Sequence, residues 1–373
     1  MAKQHKFFAV VIPGLERIAA RELESLAAHD IEIEYGGVNF TGTLPLLYRV
    51  NLRARTITRV LMRLRTFRSM TLEGLRYDLE KVAWHLFFDA NTNLEVEVSS
   101  HRSRLNHSDE IAAFSKDTIQ KLIPKINTPS DAPHLQTLHI RIDNNRGVLS
   151  LDTSGERLDR RGYRLLSGKA PLRETIAASM LAWSAWKPEQ CLLVPMCGSG
   201  TIAIEGALMG SQIAPNLTHD FAFLYFPSFK DKEYQKVLDK CRDMKKETSL
   251  HILASDSNTS ATGFCQENAR KAGVEANIEI QQLDIHDLKK PESNHGGVLV
   301  LNPPYGKRIG EGKANMSLWA DTGNMLKQYF IDDDAWKTII ICPDAEHEKA
   351  LKLKVKKRLK FKHGGLDVMF LEV

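Results

Sequence analysis

The pattern of apolar and polar positions changes along the chain near residue 170. Before that point, alternating apolar and polar positions predict strands and hairpins, with amphipathic helices between them. Beyond it, short continuous apolar runs alternate with helical stretches, a pattern typical of a doubly wound parallel sheet. The sequence therefore predicts an α+β part followed by an α/β domain.

Two compact units are predicted in the α+β part. Residues 1–68 form the first, with strands around residues 6–12, 31–42 and 60–67 and helices after Pro13-Gly14 and around 44–54. Residues 69–165 form the second, with helices around 71–87 and 107–123 and strands around 93–99, 138–143 and 147–154. A connector rich in Gly and Arg, residues 155–174, leads into the third unit, residues 166–373.

The third unit is predicted to contain five buried strands, around residues 191–196, 251–256, 278–284, 297–304 and 337–342. Residues 352–362 then alternate between apolar side chains and lysines, and Gly364-Gly365 separates them from a last apolar strand. A terminal antiparallel hairpin is therefore predicted. Its lysines either keep an edge strand soluble or contact phosphates, and the sequence favours neither role.

Composition and charge narrow the class of protein. With 373 residues, 43% hydrophobic and 26% charged, the chain is expected to form two or three globular domains. A net charge of +5 permits contact with a phosphate backbone without requiring it. The five cysteines are scattered and form no CxxC pair, which indicates reduced thiols in the cytoplasm. We expect no membrane span, no secretory leader and no metal site.

A glycine-rich turn follows the first strand of the third unit. Residues 194–208 read as a strand, then Cys-Gly-Ser-Gly-Thr, then an apolar helix. Gly198 and Gly200 allow backbone to approach a ligand at the edge where open α/β sheets bind their ligands. The turn is not a dinucleotide GxGxxG motif, because Ala203 occupies the third position, and it is not a Walker loop.

Acidic residues end the next two strands along the chain. Asp256 ends one strand, where a carboxylate suits the two ribose hydroxyls of an adenosine. Asp284 ends the next and is followed by Ile285, a pair that suits the amino group and the face of an adenine. Either aspartate alone would be interpreted as an ordinary turn residue at a strand end. Together with the glycine-rich turn, the two aspartates favour an adenosine site.

The motif with the most specific chemistry is Asn302-Pro303-Pro304-Tyr305, directly after the strand ending at Leu301. An exocyclic amine on a base is a poor nucleophile, because its lone pair is delocalised into the ring. The Asn302 side-chain oxygen and the Pro303 carbonyl are placed to accept its N–H groups, with the prolines fixing the loop. Tyr305 is suited to stack on a base that has left its helix.

These motifs resemble those of amino-methyltransferases that act on adenine N6 or guanine N2. Residues 170–181, 194–209 and 213–217 resemble more narrowly the bacterial methyltransferase family that carries a THUMP RNA-binding domain, and residues 149–175 resemble that family's junction between THUMP and catalytic domain. The resemblance covers nearly the whole chain. It implies a ferredoxin-like unit over residues 1–68, a THUMP unit over 69–165 and a Rossmann-like doubly wound methyltransferase sheet with a terminal antiparallel hairpin over 166–373.

The resemblance also implies S-adenosylmethionine as cofactor and structured RNA, most simply large-subunit ribosomal RNA, as partner. The implied cofactor-binding residues are Pro195, Cys197, Gly198, Ser199, Gly200, Thr201, Asp256, Ser257, Asp284, Ile285 and Asn302. The implied catalytic residues are Asn302, Pro303, Pro304 and Tyr305. The arginines expected to contact RNA are Arg102, Arg104, Arg160 and Arg161.

Two departures from the family pattern affect these expectations. Val194 stands where the family usually has an acidic residue, so either Glu174 or Glu205 compensates or cofactor affinity is low. We expect Val194→Asp to tighten S-adenosylmethionine binding. Lys307 stands where the family often has an acidic residue, and no role is assigned to it. Some members carry a second methyltransferase domain, and because this chain ends at Val373 we expect a single activity.

The resemblance implies a methyltransferase that acts on the exocyclic N2 amine of a guanine in large-subunit ribosomal RNA, and other functions compete with this one. The sequence distinguishes a transfer RNA guanine-N2 methyltransferase poorly from a ribosomal RNA one. An adenine-N6 methyltransferase of DNA or RNA is a further alternative, because it uses the same four-residue motif. The N-terminal region favours RNA over DNA. A non-catalytic RNA-binding assembly factor is the alternative of another class, made possible by Val194 and opposed by the intact Asn302 motif and the two strand-end aspartates.

Overall fold

A computed structural model describes residues 3–123, 133–166, 171–305, 312–331 and 333–373, with backbone alone for residues 312–315. Two seven-stranded sheets organise it, one in each part of the chain. The N-terminal part contains β1 (His5–Val10), α1 (Glu16–Ser25), β2 (His29–Glu34), β3 (Gly37–Gly42), α2 (Leu44–Arg53), β4 (Arg59–Phe67), α3 (Leu72–Glu80), β5 (Thr92–His101), α4 (Ser108–Leu122), β6 (His134–Asp143) and β7 (Arg146–Asp152).

The strand order of the first sheet is β2-β3-β1-β4-β7-β6-β5. Strand β4 from the predicted ferredoxin-like unit pairs antiparallel with β7 from the predicted THUMP unit, so the sheet continues across residue 68. The division at that residue stays a prediction, but the two units share one set of backbone hydrogen bonds.

One predicted element is shorter than expected: α3 ends at Glu80, and a 3₁₀ turn at Trp84–Leu86 follows, because the Trp84 indole turns back to donate to the Leu79 carbonyl.

The C-terminal part contains α5 (Glu174–Ser184), β8 (Cys191–Pro195), α6 (Thr201–Gly210), α7 (Asp231–Asp243), β9 (Ile252–Asp256), α8 (Thr259–Lys271), β10 (Glu279–Gln282), β11 (Gly297–Leu301), α9 (Gly312–Tyr329), β12 (Trp336–Cys342), α10 (Ala345–Leu351), β13 (Lys357–His363) and β14 (Leu366–Glu372). The strand order is β10-β9-β8-β11-β12-β14-β13. Strands β8 to β12 are parallel, and β14 is antiparallel to both β12 and β13. The predicted α/β fold with a terminal hairpin is confirmed.

Strands β8 and β11 flank the point where the strand order reverses. From β8 the chain proceeds through β9 and β10 to one edge, and from β11 it proceeds to the other. Open α/β sheets bind ligands at the carboxyl ends of the strands beside such a switch point. The glycine-rich turn follows β8 and the Asn302 motif follows β11, so the topology brings both to this position.

The two parts of the chain pack against each other through one hydrophobic core. Buried side chains from both sheets belong to the same cluster, which runs from Phe7 to Phe370. Polar contacts join the parts as well: Arg55 donates to the carbonyls of Leu208 and Ile213 at the end of α6, and Asn216 donates to the Asn51 carbonyl. Within the residues described, no helix is both long and apolar enough to cross a membrane.

Candidate active site

The glycine-rich turn between β8 and α6 has a backbone that demands glycine. Gly198 and Gly200 have φ of +56° and +84°, in the left-handed region that disfavours other residues. A Cβ built on Gly200 would lie 2.3 Å from Cys265 Sγ, whereas one built on Gly198 would meet no atom within 4 Å. Gly200 is therefore fixed by packing on α8, and Gly198 faces space that the described residues leave open.

Asn268 of α8 holds this turn in place. Its buried side-chain amide donates to the Ser199 carbonyl over 3.0 Å and to the Leu166 carbonyl over 2.9 Å, and its oxygen accepts from the Leu165 N–H over 2.9 Å. The glycine-rich turn and the connector between the two parts therefore share one anchor. Sequence reasoning missed Asn268, because an asparagine inside a helix carries no signal of its own.

Asp256 lies directly beside the glycine-rich turn. Its Oδ2 accepts the Gly198 N–H over 2.9 Å, and its Oδ1 accepts the Asn258 N–H over 3.0 Å. The Cys197 N–H donates to the Ser255 carbonyl over 2.9 Å, so the two strand ends are joined by backbone as well. The structure thus brings Asp256 and the neighbouring Ser257 to the predicted cofactor turn, although the ribose contact itself stays a prediction.

Asp284 and Ile285 follow β10, at the same edge of the sheet. Asp284 Oδ1 accepts the His286 N–H over 3.0 Å and lies 2.6 Å from His286 Nδ1, while Ile285 is buried. His286 Nε2 lies 3.4 Å from Asp321 of α9. Hydrogen bonds from the His286 backbone and ring lower the pKa of Asp284, and the bond to Asp284 raises the pKa of His286. His286 was not anticipated from the sequence.

The Asn302 motif extends from the carboxyl end of β11. The Asn302 Oδ1 atom is buried and accepts no hydrogen bond from the residues that the structure describes. Trp319 of α9 donates its indole N–H to the Pro304 carbonyl over 3.2 Å, and the Tyr305 hydroxyl lies 3.1 Å from His363 Nδ1. The loop is therefore held at its third and fourth residues, while its first presents a buried acceptor that no described residue satisfies. A buried acceptor without a partner destabilises the folded protein unless a ligand donates a hydrogen bond to it.

Glu174 and Glu205, the two acids considered for the gap at Val194, have different surroundings. Glu205 is closed off from solvent by Arg161 and by the Tyr163 hydroxyl. Glu174 lies 2.9 Å from the Arg164 guanidinium, which also donates to the Thr201 hydroxyl at the start of α6. Glu174 thus shares a partner, Arg164, with the glycine-rich turn, whereas the partners of Glu205 form no hydrogen bond with that turn among the residues that the structure describes. Burial raises the pKa of Glu174 to about 7 and outweighs the lowering effect of Arg164.

The four arginines expected to contact RNA divide into two groups. Arg102, Arg104 and Arg160 are exposed, and Arg160 pairs with Glu156 four residues earlier. Arg161 is buried, with its guanidinium paired to Glu205 and donating to the carbonyls of Leu158 and Arg55. The prediction for Arg161 is wrong, because its guanidinium is buried and already bound to groups of the protein, so it cannot contact RNA. The other three stay predictions.

Comparison with protein families gives two matches. The profile of the RMKL-like methyltransferase domain matches residues 161–371, and that of the RlmL ferredoxin-like domain matches residues 6–61. The first match covers more than half of the chain and includes every strand of the second sheet. The second covers the strands and helices of the first predicted unit up to the start of β4.

Individual relatives and structures agree with these matches. A putative RNA methyltransferase of Synechocystis sp. is 32% identical, with 100% of this chain and 97% of the relative covered. The ribosomal RNA large subunit methyltransferase K/L of Photobacterium profundum is 32% identical over 97% of this chain, but the chain spans only 52% of that relative. The crystal structure of SMU.472, a putative methyltransferase complexed with SAH, superposes with a TM-score of 0.88 at 27% identity, covering 100% of this chain and 98% of that one.

Proposed function

This chain belongs to the family of the RMKL-like methyltransferase domain, and from that premise we propose that it methylates the exocyclic N2 amine of a guanine in large-subunit ribosomal RNA, with S-adenosylmethionine as the methyl donor. The observation that carries the amine-methylation part of the proposal is the Oδ1 of Asn302 at the end of β11, beside the glycine-rich turn that follows β8, which is buried and has no hydrogen-bond partner among the described residues.

The residues at the carboxyl ends of β8, β9 and β10 fit S-adenosylmethionine. The open space at Gly198 suits the close approach of a ligand, and the Asp256 carboxylate beside it retains lone pairs for ribose hydroxyls. Asp284 and the buried Ile285 offer an acceptor and an apolar surface of the kind an adenine needs. When bound, the cofactor supplies an electrophilic methyl group, and these residues fix its position relative to Asn302.

Asn302 prepares the amine for attack. An amide oxygen that accepts an N–H group of the amine localises the lone pair on nitrogen and directs it away from the ring. The oxygen is buried away from bulk solvent, so this hydrogen bond is stronger than the same bond in water. Tyr305, held at its hydroxyl, offers its ring for stacking on the extruded base.

The choice of substrate rests on relatives and not on the geometry, since adenine N6 and guanine N2 present the same chemistry to Asn302. Relatives named as large subunit ribosomal RNA methyltransferases match 97–98% of this chain, although the chain spans about half of their length. The ferredoxin-like match and the net charge of +5 suit an RNA partner. Arg102, Arg104 and Arg160 are the exposed arginines proposed to bind its phosphates.

The experiment presents the purified protein with isotopically labelled S-adenosylmethionine and three unmodified substrates: large-subunit ribosomal RNA, transfer RNA and duplex DNA. Mass spectrometry of the digested nucleosides identifies the product. We expect N2-methylguanosine in the ribosomal RNA. If the label appears in transfer RNA alone, transfer RNA is the substrate and the proposal of ribosomal RNA is wrong. If it appears as N6-methyladenine, the methylated base is adenine and the proposal of guanine is wrong. Binding of S-adenosylmethionine without transfer to any substrate, or no binding, would favour the non-catalytic alternative.

A further inference from the structure

The terminal hairpin returns to the functional edge of the second sheet. Strand β13 is antiparallel to β14, which is antiparallel to β12, so β13 runs in the same direction as β8 and β11. Its last residue, His363, therefore lies at the edge where the glycine-rich turn and the Asn302 motif lie. Gly364 and Gly365, with φ of +58° and +85°, then form the tight turn into β14.

His363 contacts the Asn302 motif directly. Its Nδ1 lies 3.1 Å from the Tyr305 hydroxyl, across 58 residues of sequence. Burial, and to a lesser extent the charge of Arg173 at the start of α5, lowers the pKa of His363, while burial raises the pKa of Tyr305. Both groups are therefore neutral near pH 7, and the contact is a hydrogen bond between neutral partners and not an ion pair.

We propose that His363 is a positioning residue for the target base, acting through Tyr305; the inference rests on the proposed function. The Tyr305 ring packs against the main hydrophobic cluster on one side, and the hydrogen bond at its hydroxyl further restricts the rotamers open to its two side-chain torsions. Here the loop is fixed on one side by Trp319 through the Pro304 carbonyl and on the other by His363 through the hydroxyl. The stacking surface is thus oriented before RNA arrives, which reduces the entropy lost when the base enters.

The N-terminal part of the chain helps to set the position of His363. The Lys362 N–H donates to the Pro13 carbonyl over 2.9 Å, and a Cβ built on Gly14 would lie 2.2 Å from the Lys360 carbonyl oxygen. The turn at Gly14 is itself held by Glu16, which accepts the N–H groups of both Gly14 and Gly36. The ferredoxin-like unit therefore lies against β13, and through His363 it is connected to the loop proposed to receive the base.

A double-mutant cycle tests the role of His363. The variants are His363→Leu, Tyr305→Phe and the pair, with His363→Asn as the conservative change that keeps an acceptor near the Nδ1 position and exposed His295→Leu as a matched control. The probe is unmodified large-subunit ribosomal RNA transcribed in vitro. We expect His363→Leu to lower kcat/KM for RNA by about threefold to tenfold, the scale of one hydrogen bond, with the affinity for S-adenosylmethionine unchanged.

The pair of variants separates positioning from general support of the fold. In the Tyr305→Phe background, His363→Leu should cause no further loss, and His363→Asn should retain most of the activity. Additive losses, an Asn variant as impaired as the Leu variant, or an equal loss in His295→Leu would overturn the proposal. Thermal unfolding of each variant identifies any that fail to fold.

A second readout does not depend on the substrate. In spectra of protein labelled at its histidine ring nitrogens, the His363 signals, assigned by their loss in His363→Asn, should shift in Tyr305→Phe. Signals that do not respond would overturn the proposal whichever RNA is methylated. If the ribosomal RNA is not methylated at all while the His363 signals respond, the proposed substrate fails and the contact between the two residues stands.

Discussion

Arg161 and Glu205 form an ion pair that is closed to solvent, with Arg161 Nε 3.4 Å from Glu205 Oε1 and both side chains almost fully buried. Arg161 belongs to the connector, and Glu205 lies on α6, the helix that begins at the glycine-rich turn. Arg161 also donates to the Arg55 carbonyl of the N-terminal part. This pair therefore fixes the cofactor-side helix relative to the N-terminal sheet, which explains why Arg161 is unavailable to RNA.

Removing one partner of this pair should be far more damaging than removing both. Arg161→Met leaves the Glu205 carboxylate buried without its cation, so we expect a loss of about 3–5 kcal/mol in the free energy of unfolding. The double variant with Glu205→Leu should recover much of that loss, because no uncompensated charge remains. Urea denaturation of the two proteins measures this, and an Arg161→Met protein as stable as the parent would show that the pair does not join the two parts.

Val194→Asp is the substitution for which sequence and structure lead to opposite expectations. The sequence predicts tighter S-adenosylmethionine binding, on the ground that a carboxylate is missing. In the structure Val194 is only 1% exposed and packs in the main hydrophobic core. A carboxyl placed there is desolvated, so we expect a loss of at least about 2 kcal/mol in stability and no gain in cofactor affinity.

Calorimetry with S-adenosylmethionine and urea denaturation of the Val194→Asp protein decide between the expectation from the sequence and the expectation from the structure. Val194→Thr, which changes shape little and adds a hydroxyl, serves as the control. Tighter cofactor binding in the aspartate variant, with stability maintained, would restore the expectation drawn from the sequence.

Glu174 should make the stability depend on pH near neutrality. Its pKa is raised from 4.5 to about 7 by burial, so the folded protein binds this proton more tightly than the unfolded chain does. The stabilisation is complete below pH 4.5 and is lost as the pH rises through 7. Glu174→Gln lacks this titration. Relative to the parent, it should therefore gain up to about 3 kcal/mol in unfolding free energy between pH 4.5 and pH 8.

Denaturation at several pH values measures the difference between the parent and Glu174→Gln proteins. Exposed Glu156→Gln is the control, since its carboxylate pairs with Arg160 at the surface. A difference that does not change with pH would mean that Glu174 is ionised throughout this range in the folded protein.

Asp256→Ala should weaken S-adenosylmethionine binding by roughly 1.5–3 kcal/mol, because the ribose hydroxyls lose a charged acceptor. The structure adds a second reason, since the same carboxylate accepts the Gly198 N–H and steadies the glycine-rich turn. Asp256→Asn keeps an acceptor oxygen without the charge, so its affinity for S-adenosylmethionine should lie between those of the parent and the alanine variant. A dissociation constant that is unchanged in the alanine variant would remove Asp256 from the cofactor site.

The order of elements and the place of the site were predictable from local sequence. Parallel strands end at one edge of their sheet, so residues that directly follow β8, β9, β10 and β11 had to lie near each other once those strands were recognised. Helix α7 was missed, although its buried residues Tyr234, Val237, Leu238 and Cys241 follow helical spacing, because this segment lies outside the alternating strand pattern.

Contacts between distant segments were not predictable in the same way. His363 meets Tyr305 across 58 residues, and Arg161 meets Glu205 across 44, so no local pattern indicates either pair. A single sequence also does not distinguish an arginine on the surface from one that is buried with a partner. The error over Arg161 and the omission of Asn268 and His363 have this common cause.

The most direct test of the central claim is methyl transfer by Asn302→Ala under single-turnover conditions, with cofactor affinity measured on the same protein. Asn302 Oδ1 is the buried acceptor proposed to activate the amine, so we expect the transfer rate to fall by at least about a hundredfold while S-adenosylmethionine still binds. Asn302→Asp, which keeps the acceptor, should retain more activity than the alanine variant. A near-normal transfer rate in Asn302→Ala would contradict the account.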